Sequence, residues 1–375
     1  MIPVNEPLIG DEEKNYVLDC LQSGWISSEG PYVAKFENAF ANYIGKSAGI
    51  AVCNGTAAVE TALYAAGVKS GDEVILPTFT IISCLLAVVR LGAKPILVDI
   101  EPDTWNMNVQ DIQSKITSRT KAILAVHIYG HPVDMDPLMD IANKYNISVV
   151  EDAAQVHGAE YKGRKCGSIG VVSAFSFYAN KLVTTGEGGM VLTSDPSMEL
   201  RARSYRNLCF NAKERFLHDD IGYNFRMTAL QAAIGLGQLQ RIEQIVARKR
   251  LMGKLYSHYL SSISGLQLQS EKPWAKTVYW MYALQLCPSL GKTAKELMVL
   301  LAKRGIGTRP FFRGLHDQPI LKNSGIVRST DSYPVADAAY KYGLYLPSSL
   351  SLAENQIIWI CEQVKDLLFN SVKTI

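Results

Sequence analysis

The sequence lacks the features that mark membrane, secreted or nucleic-acid-binding proteins. It contains no window of about 18 uninterrupted apolar residues, and residues 1–6 do not form a basic segment followed by an apolar one. Lys and Arg number 38 against 35 Asp and Glu, and the net charge of +3 is too small for a nucleic-acid or anionic-membrane surface. We therefore expect a cytoplasmic protein with no nucleic acid and no membrane among its partners.

Cysteine and histidine are too few or too scattered for a disulfide framework or a metal centre. The seven cysteines are an odd number and never occur as C-x-x-C, which favours reduced thiols in apolar surroundings. His127 and His131 lie four residues apart, but Tyr129 and Gly130 separate them, and no H-E-x-x-H motif occurs. No metal site is predicted.

What the sequence does contain is an alternation of strand-like and helical segments, which is the α/β pattern. Several of the strand-like segments are continuous apolar runs, as expected for a sheet covered on both faces. Apolar spacing with a helical period predicts helices between them. The predicted strands span residues 73–76, 95–100, 122–127, 147–152, 171–177 and 190–193, and the predicted helices span 55–66, 80–92, 136–145 and 227–260.

The length of 375 residues and the apolar content of 48% suit two domains. We place the boundary near residue 250, because the long helix predicted at 227–260 leads away from the sheet. Residues 1–250 would then form a large mixed-sheet α/β domain, and residues 251–375 a smaller C-terminal α+β domain. The smaller domain would hold strands at 266–268 and 278–286 and helices at 293–303 and 352–368.

Asp152 ends the apolar strand predicted at 147–152, and ligands of open α/β sheets gather at the carboxyl ends of strands. A carboxylate there suits a pyridine-type nitrogen in a bound ring, because it would keep that nitrogen protonated and strengthen the ring as an electron sink. Alternatively, Asp152 only caps a following helix. The strand pattern alone favours neither of the two interpretations.

Lys181 follows the strand-like run and precedes a glycine-rich segment at 186–189. A partly desolvated amine beside a pyridinium would have a lowered pKa and would serve as nucleophile and proton shuttle, whereas a lone lysine there is more often an exposed loop residue. The glycines precede a strand rather than follow one, which favours a tight turn or a close backbone approach over a dinucleotide loop.

Asn54, Gly55 and Thr56 begin a predicted helix. Free backbone N–H groups and the helix dipole favour a phosphate dianion at this position, and the Thr56 hydroxyl adds a donor. The alternative is an ordinary helix N-cap with no ligand.

Five ordered motifs together resemble those of the DegT/DnrJ/EryC1/StrS sugar aminotransferases, over essentially the whole chain. Within that family the pattern is most similar to the GDP-perosamine synthases, which use glutamate to aminate C4 of GDP-4-keto-6-deoxy-D-mannose. The motifs are Asn54-Gly55-Thr56, Glu151-Asp152-Ala153-Ala154-Gln155, Ser176-Phe177 followed by Lys181, Thr185-Gly186-Glu187-Gly188-Gly189 and Gly222-Tyr223-Asn224-Phe225-Arg226-Met227.

The resemblance implies a fold type I aminotransferase that depends on pyridoxal 5'-phosphate. Lys181 would bind the cofactor covalently and later move the proton, and Asp152 would pair with the pyridine nitrogen. The other implied cofactor contacts are Gln155 at the phenolic oxygen, and Ser176, Gly55 and Thr56 at the phosphate.

The resemblance also implies shared active sites and a substrate pocket. Asn224 would reach the phosphate from a partner subunit, which requires a homodimer. Trp25, Ser27, Arg309 and His316 match positions near the pocket for a nucleotide-linked keto sugar, and L-glutamate would be the amino donor. The pathway implied is bacterial surface-polysaccharide (O-antigen) biosynthesis.

Two departures from the family pattern leave details open. Ile81 stands where many members place an aromatic residue over the cofactor ring, so a stacking contribution of about 0.5–1.5 kcal/mol is absent unless Phe79 takes its place. Gln155 followed by His157 also occurs among relatives that aminate C3 of dTDP sugars. Amination at C3 or C4 of another dTDP- or UDP-keto sugar is therefore the first alternative, and a catalytically silent ligand-binding or regulatory homologue is the second.

Overall fold

The computed structural model describes residues 1–214, 216–327 and 331–369. Helices α1 to α13 span, in chain order, Asp11–Ser23, Pro31–Ile44, Gly55–Ala65, Ile82–Arg90, Val109–Lys115, Met135–Tyr145, Pro196–Tyr205, Ala229–Gln240, Ile242–Leu260, Ala294–Lys303, Pro319–Asn323, Pro334–Tyr342 and Glu354–Phe369. Strands β1 to β14 span Ala48–Val52, Glu73–Pro77, Lys94–Val98, Thr120–Val126, Ser148–Asp152, Glu160–Tyr161, Arg164–Lys165, Val172–Ser176, Gly189–Thr193, Leu266–Leu268, Ala275–Lys276, Tyr282–Leu286, Arg309–Pro310 and Gly343–Leu346.

A seven-stranded mixed sheet forms the centre of the molecule, with the order β1-β9-β8-β5-β4-β2-β3. All neighbours pair in parallel except β9, which runs antiparallel to both β8 and β1. The six predicted strands are confirmed to within a few residues. Strand β1 was not predicted, because it is short and three of its five residues are Ala or Gly, which are uncommon in strands.

A second sheet, with the order β10-β12-β14-β13, is antiparallel throughout. Its core packs residues of α9, α10 and α13 against the strands, as Tyr256, Leu284, Leu297 and Ile360 show. A short third sheet has the order β11-β6-β7. The division of the chain near residue 250 stays a prediction. No helix in the described residues is both long and apolar enough to cross a membrane.

The single helix predicted over 227–260 is wrong, because the chain leaves helical geometry at Arg241. This residue has φ −114° and ψ 19°, and it separates α8 from α9. Its guanidinium binds the carboxylate of Glu13 in α1 at 2.6 Å. The break is therefore coupled to the packing of α1, which helical periodicity does not report.

Helix α1 packs closely on α8 around the buried carboxylate of Glu13. That carboxylate accepts hydrogen bonds from the Gly10 N–H at 3.0 Å and from the side chains of Gln238 and Arg241. Gly237 permits the close approach, since a Cβ there would lie 2.8 Å from the Glu13 Cγ and 2.9 Å from its backbone nitrogen. The packing also brings the segment after α1 beside the start of α8, where the Ala229 N–H donates to the Ser27 carbonyl at 2.6 Å.

We expect Glu13→Gln to lower the free energy of unfolding by about 2–3 kcal/mol, because it leaves a partly buried guanidinium without its carboxylate. Denaturant unfolding followed by circular dichroism measures the change. Glu12→Gln is the matched control, since the neighbouring Glu12 is exposed on the same helix. Equal stability of the two variants would contradict the role given to the Glu13 cluster.

Candidate active site

A cavity of about 490 Å³ opens at the carboxyl ends of β5 and β8. These two strands are parallel neighbours, so their ends bring Asp152 and the segment after Ser176 to the same edge of the sheet. The predicted cofactor residues, Asn224 excepted, line this cavity: Gly55, Thr56, Ile81, Asp152, Gln155, Ser176 and Lys181. Residues far apart in sequence thus share one site.

The side chain of Lys181 lies within the cavity, with its Nζ 3.8 Å from the ring centroid of Trp280. Burial lowers the pKa of Lys181 to about 8, although attraction to the nearby Asp152 carboxylate opposes this shift. A lysine with this pKa is partly neutral near physiological pH. It is therefore suited both to nucleophilic attack and to proton transfer.

The carboxylate of Asp152 is 4% exposed and fixed by two donors. Oδ1 accepts the Ala154 N–H at 3.0 Å, and Oδ2 accepts the Cys84 thiol at 3.0 Å. The helix-capping alternative is wrong, because residues 153–159 form turns rather than a helix. Asp152 is thus an oriented carboxylate on the cavity wall, of the kind that can pair with a protonated ring nitrogen.

The hydroxyls of Thr56 and Ser176 and the N-terminus of α3 at Gly55 line one side of the cavity and are called the cradle below. Gly55 is the first residue of α3, which Asn54 caps by accepting the Ala57 N–H at 2.9 Å, so the N-cap interpretation also holds. A Cβ on Gly55 would lie 2.6 Å from the Ser176 Cβ and 2.8 Å from its Oγ, so only glycine fits there. The arrangement suits a phosphate dianion.

Ser83 is a cradle residue that the sequence did not reveal. Its Oγ lies 2.9 Å from the Thr56 Oγ1, and it lines the same cavity from the second position of α4. A serine at the start of a helix is too common to signal a ligand from sequence alone. Only the packing of α4 beside α3 brings the two hydroxyls together.

Gln155 presents a hydrogen-bond donor to the cavity. Its Oε1 accepts the Tyr129 N–H at 2.7 Å, which requires the amide nitrogen to be the free end of the side chain. An N–H donor suits a negatively charged oxygen such as the phenolate of pyridoxal phosphate. The lysine, the carboxylate, the cradle and this amide together fit the cofactor.

Ile81 lines the cavity and is 44% exposed, whereas Phe79 does not line it. The Phe79 ring is fully buried and packs on Tyr129, Phe311 and Phe312 with centroid distances of 5.7–6.2 Å. Phe79 therefore does not take the place of the missing aromatic residue. Dispersion contacts from Ile81 are what this wall offers to a ring.

The remaining predicted residues lie outside the cavity. Asn224 is exposed and pairs with Asn207 through the backbone, while Trp25 and Ser27 are exposed in the segment beside α8. Arg309 lines a separate cavity of about 220 Å³, which shares Tyr178, Asn180 and Tyr345 with the main one.

His316 is buried away from the cavity and is held on both ring nitrogens. Its Nδ1 lies 2.7 Å from the Thr78 Oγ1, and its Nε2 lies 2.9 Å from the Asp337 Oδ1. Within the part of the chain that the structure describes, no group of three or more His, Cys, Asp or Glu side chains is placed to hold a metal ion.

Residues 7–365 match the profile of the DegT/DnrJ/EryC1/StrS aminotransferase family. The chain belongs to this family. It is 41% identical to GDP-perosamine synthase of Escherichia coli O157:H7, over 97% of this chain and 98% of that protein. It is 40% identical to GDP-perosamine synthase of Caulobacter vibrioides, over 95% of each chain.

Solved structures agree with the assignment to the DegT/DnrJ/EryC1/StrS family. The aminotransferase TlmJ of Streptoalloteichus hindustanus superposes with a TM-score of 0.91 at 28% identity and 100% coverage of both chains. Spr1654 of Streptococcus pneumoniae, solved in its PLP form, superposes with a TM-score of 0.90 at 27% identity and 98% coverage of both chains. The protein is therefore a PLP-dependent sugar aminotransferase with the fold of that family.

The lowered pKa of Lys181 predicts how cofactor capture depends on pH. Only the neutral amine attacks the cofactor aldehyde, so the rate of attachment to the cofactor-free enzyme should rise with pH, with a midpoint near 8 instead of the ordinary lysine value of 10.5. Absorbance recorded after rapid mixing with pyridoxal phosphate, from about pH 6 to pH 10, measures the midpoint. A midpoint close to 10 would contradict the burial of this amine.

Proposed function

We propose that the enzyme transfers an amino group from L-glutamate to C4 of GDP-4-keto-6-deoxy-D-mannose. The observation that carries this proposal is the complete lysine, carboxylate and cradle arrangement in a chain 36–41% identical, over 95–99% of its length, to three proteins named GDP-perosamine synthase. The proposal includes a cytoplasmic location and a place in surface-polysaccharide biosynthesis.

The proposed role of each residue in the reaction follows from its chemistry. Pyridoxal phosphate, when bound, would supply the ring that accepts the electrons released as the donor carbon loses its proton, and would hold the amino group until the acceptor carbon takes it together with a proton. Lys181 binds the cofactor and carries that proton, and its pKa of about 8 suits both directions of transfer. Asp152 holds a proton on the ring nitrogen, Gln155 donates to the phenolic oxygen, and Ser176 with the N-terminus of α3 binds the phosphate.

The acceptor is inferred from the relatives rather than from His157. The ring of His157 is fully buried, and its centroid lies 5.4–6.1 Å from those of Phe40, Phe175 and Phe177. It does not line the cavity, so the Gln155 and His157 pair does not favour amination at C3 over C4. Amination of a dTDP- or UDP-keto sugar remains the alternative within the same enzyme class.

A silent ligand-binding homologue has less support. Such a protein has no need of a desolvated lysine beside an oriented carboxylate, yet the structure retains both. Burying these two groups destabilises the folded protein, and a protein that only binds a ligand has no need to bury them. The arrangement is therefore better explained by amine transfer.

We also propose a homodimer in which Asn224 completes the partner's site. Asn224 is exposed on a segment with uncovered apolar side chains, of which Ile221 is 76% and Tyr223 39% exposed. Trp25, next to the start of α8, is 50% exposed. Large apolar side chains left exposed in this way are found at subunit interfaces.

The first experiment is an absorbance spectrum of purified protein with pyridoxal phosphate, before and after glutamate. We expect a band from the lysine-linked cofactor that shifts to the amine form with glutamate, because the donor passes its nitrogen to the cofactor. Lys181→Ala should lose the band, whereas Lys254→Ala, at an exposed lysine of α9, should keep it. A band that persists in Lys181→Ala would refute the assignment.

The same spectrum identifies the acceptor. After glutamate, adding GDP-4-keto-6-deoxy-D-mannose should restore the original band, because the sugar takes the amine, and mass spectrometry should detect GDP-perosamine. Restoration by a dTDP- or UDP-keto sugar in its place would favour the alternative acceptor.

Mixed dimers test the position of Asn224. Lys181→Ala and Asn224→Ala should each be defective alone, yet subunit exchange between them should restore about a quarter of all sites, because one site of each mixed dimer receives both native residues. Size-exclusion chromatography combined with activity assays measures this. No recovery on mixing would place Asn224 in its own subunit's site or outside any site.

A further inference from the structure

Trp280 faces Lys181 from the end of the segment that leads into β12. Its ring centroid lies 3.8 Å from the Lys181 Nζ, within the range of a cation–π contact. Its indole N–H donates to the carbonyl of Asn180 at 2.7 Å, and Asn180 directly precedes Lys181. One side chain thus contacts both the backbone before the lysine and the reactive amine.

Trp280 is itself held in place from several directions. Its side chain is 4% exposed, and its ring is nearly parallel to that of Tyr129, with an interplanar angle of 15° and a centroid distance of 6.2 Å. Its carbonyl accepts a hydrogen bond at 2.7 Å from the buried side-chain nitrogen of Lys249, which also donates to the Ser348 carbonyl. The indole therefore presents a pre-organised face to the amine.

The charged groups near Lys181 leave room for the aromatic face of Trp280 to help stabilise the Lys181 ammonium. Asp152 approaches from β5 and Glu187 lines the same cavity. Burial lowers the pKa of His157 to about 3 and raises the pKa of the Cys84 thiol well above its usual value, so both are neutral. Once Asp152 shares its charge with the cofactor, less of it is available to a free Lys181 ammonium.

We propose that Trp280 is a positioning residue for Lys181. Its N–H holds the Asn180 carbonyl, and its ring face holds the side-chain ammonium whenever the amine is not attached to the cofactor. This inference rests on Lys181 being the lysine that binds the cofactor, as proposed above. It adds a role for Trp280, which lies in the segment before strand β12 of the second sheet.

The sign of the effect follows from the contact. An aromatic face stabilises the ammonium but not the neutral amine, so replacing the ring with an apolar side chain that keeps the amine buried should lower the pKa of Lys181. For Trp280→Leu we expect the midpoint of the pH dependence of cofactor capture to fall by about 0.5–1 unit. Trp280→Phe keeps a ring face, so its midpoint should stay within a few tenths of a unit of the wild type.

Fluorinated tryptophan provides a second test if the leucine variant does not fold. Fluorine withdraws electron density from the ring face with little change of shape, so biosynthetic incorporation should lower the midpoint progressively with each added fluorine. The chain has five tryptophans, so the control is the same incorporation into Trp280→Phe, where the midpoint should not move.

The outcomes separate this inference from the proposed function. If the lysine-linked band forms in the wild type but the midpoint is the same in Trp280→Leu, Trp280→Phe and the fluorinated protein, the positioning role is overturned. If Lys181→Ala keeps the band, the cofactor assignment fails first. A midpoint that is lower in Trp280→Leu and close to the wild-type value in Trp280→Phe supports the inference.

Discussion

The structure depends on keeping an amine and a carboxylate partly out of water in one cavity. Lys181 and Asp152 reach it from β8 and β5, which are parallel neighbours and therefore end at the same edge of the sheet. Desolvated charges are unfavourable unless other groups compensate them. Here the Ala154 amide and the Cys84 thiol donate to Asp152, and the face of Trp280 meets Lys181.

The glycine-rich segment after Lys181 brings the lysine and the cradle together. Gly186 has φ +80°, a conformation that favours glycine, and it turns the chain back toward the sheet. A Cβ on Gly189 would lie 2.4 Å from the carbonyl oxygen of Asn54, the cap of α3. The glycines therefore allow close backbone packing, as predicted from their position before a strand. This packing brings the start of β9 against Asn54, the cap of α3.

The second sheet and its flanking segments contribute the aromatic wall of the cavity. Phe312 and Tyr345 line it together with Trp280, and the ring of Tyr129 lies behind them at centroid distances of 5.7–6.2 Å. This aromatic packing joins residues of the large sheet's loops to residues beyond 275. The amine thus lies between a polar wall from the central sheet and an apolar wall from the rest of the chain.

The sequence by itself predicted six of the seven strands of the central sheet, and it pointed to Lys181, Asp152, Gln155 and the N-terminus of α3, which the structure brings to one cavity. These signals are local, since each depends on a strand end, a helix start or a short motif. Tertiary structure alone decided that Ser83 joins the cradle, that Trp280 faces Lys181, that Phe79 lies away from the cavity and that Arg241 separates α8 from α9. Each depends on contacts between residues distant in the chain, such as the 99 positions between Lys181 and Trp280, and local periodicity carries no information about such contacts.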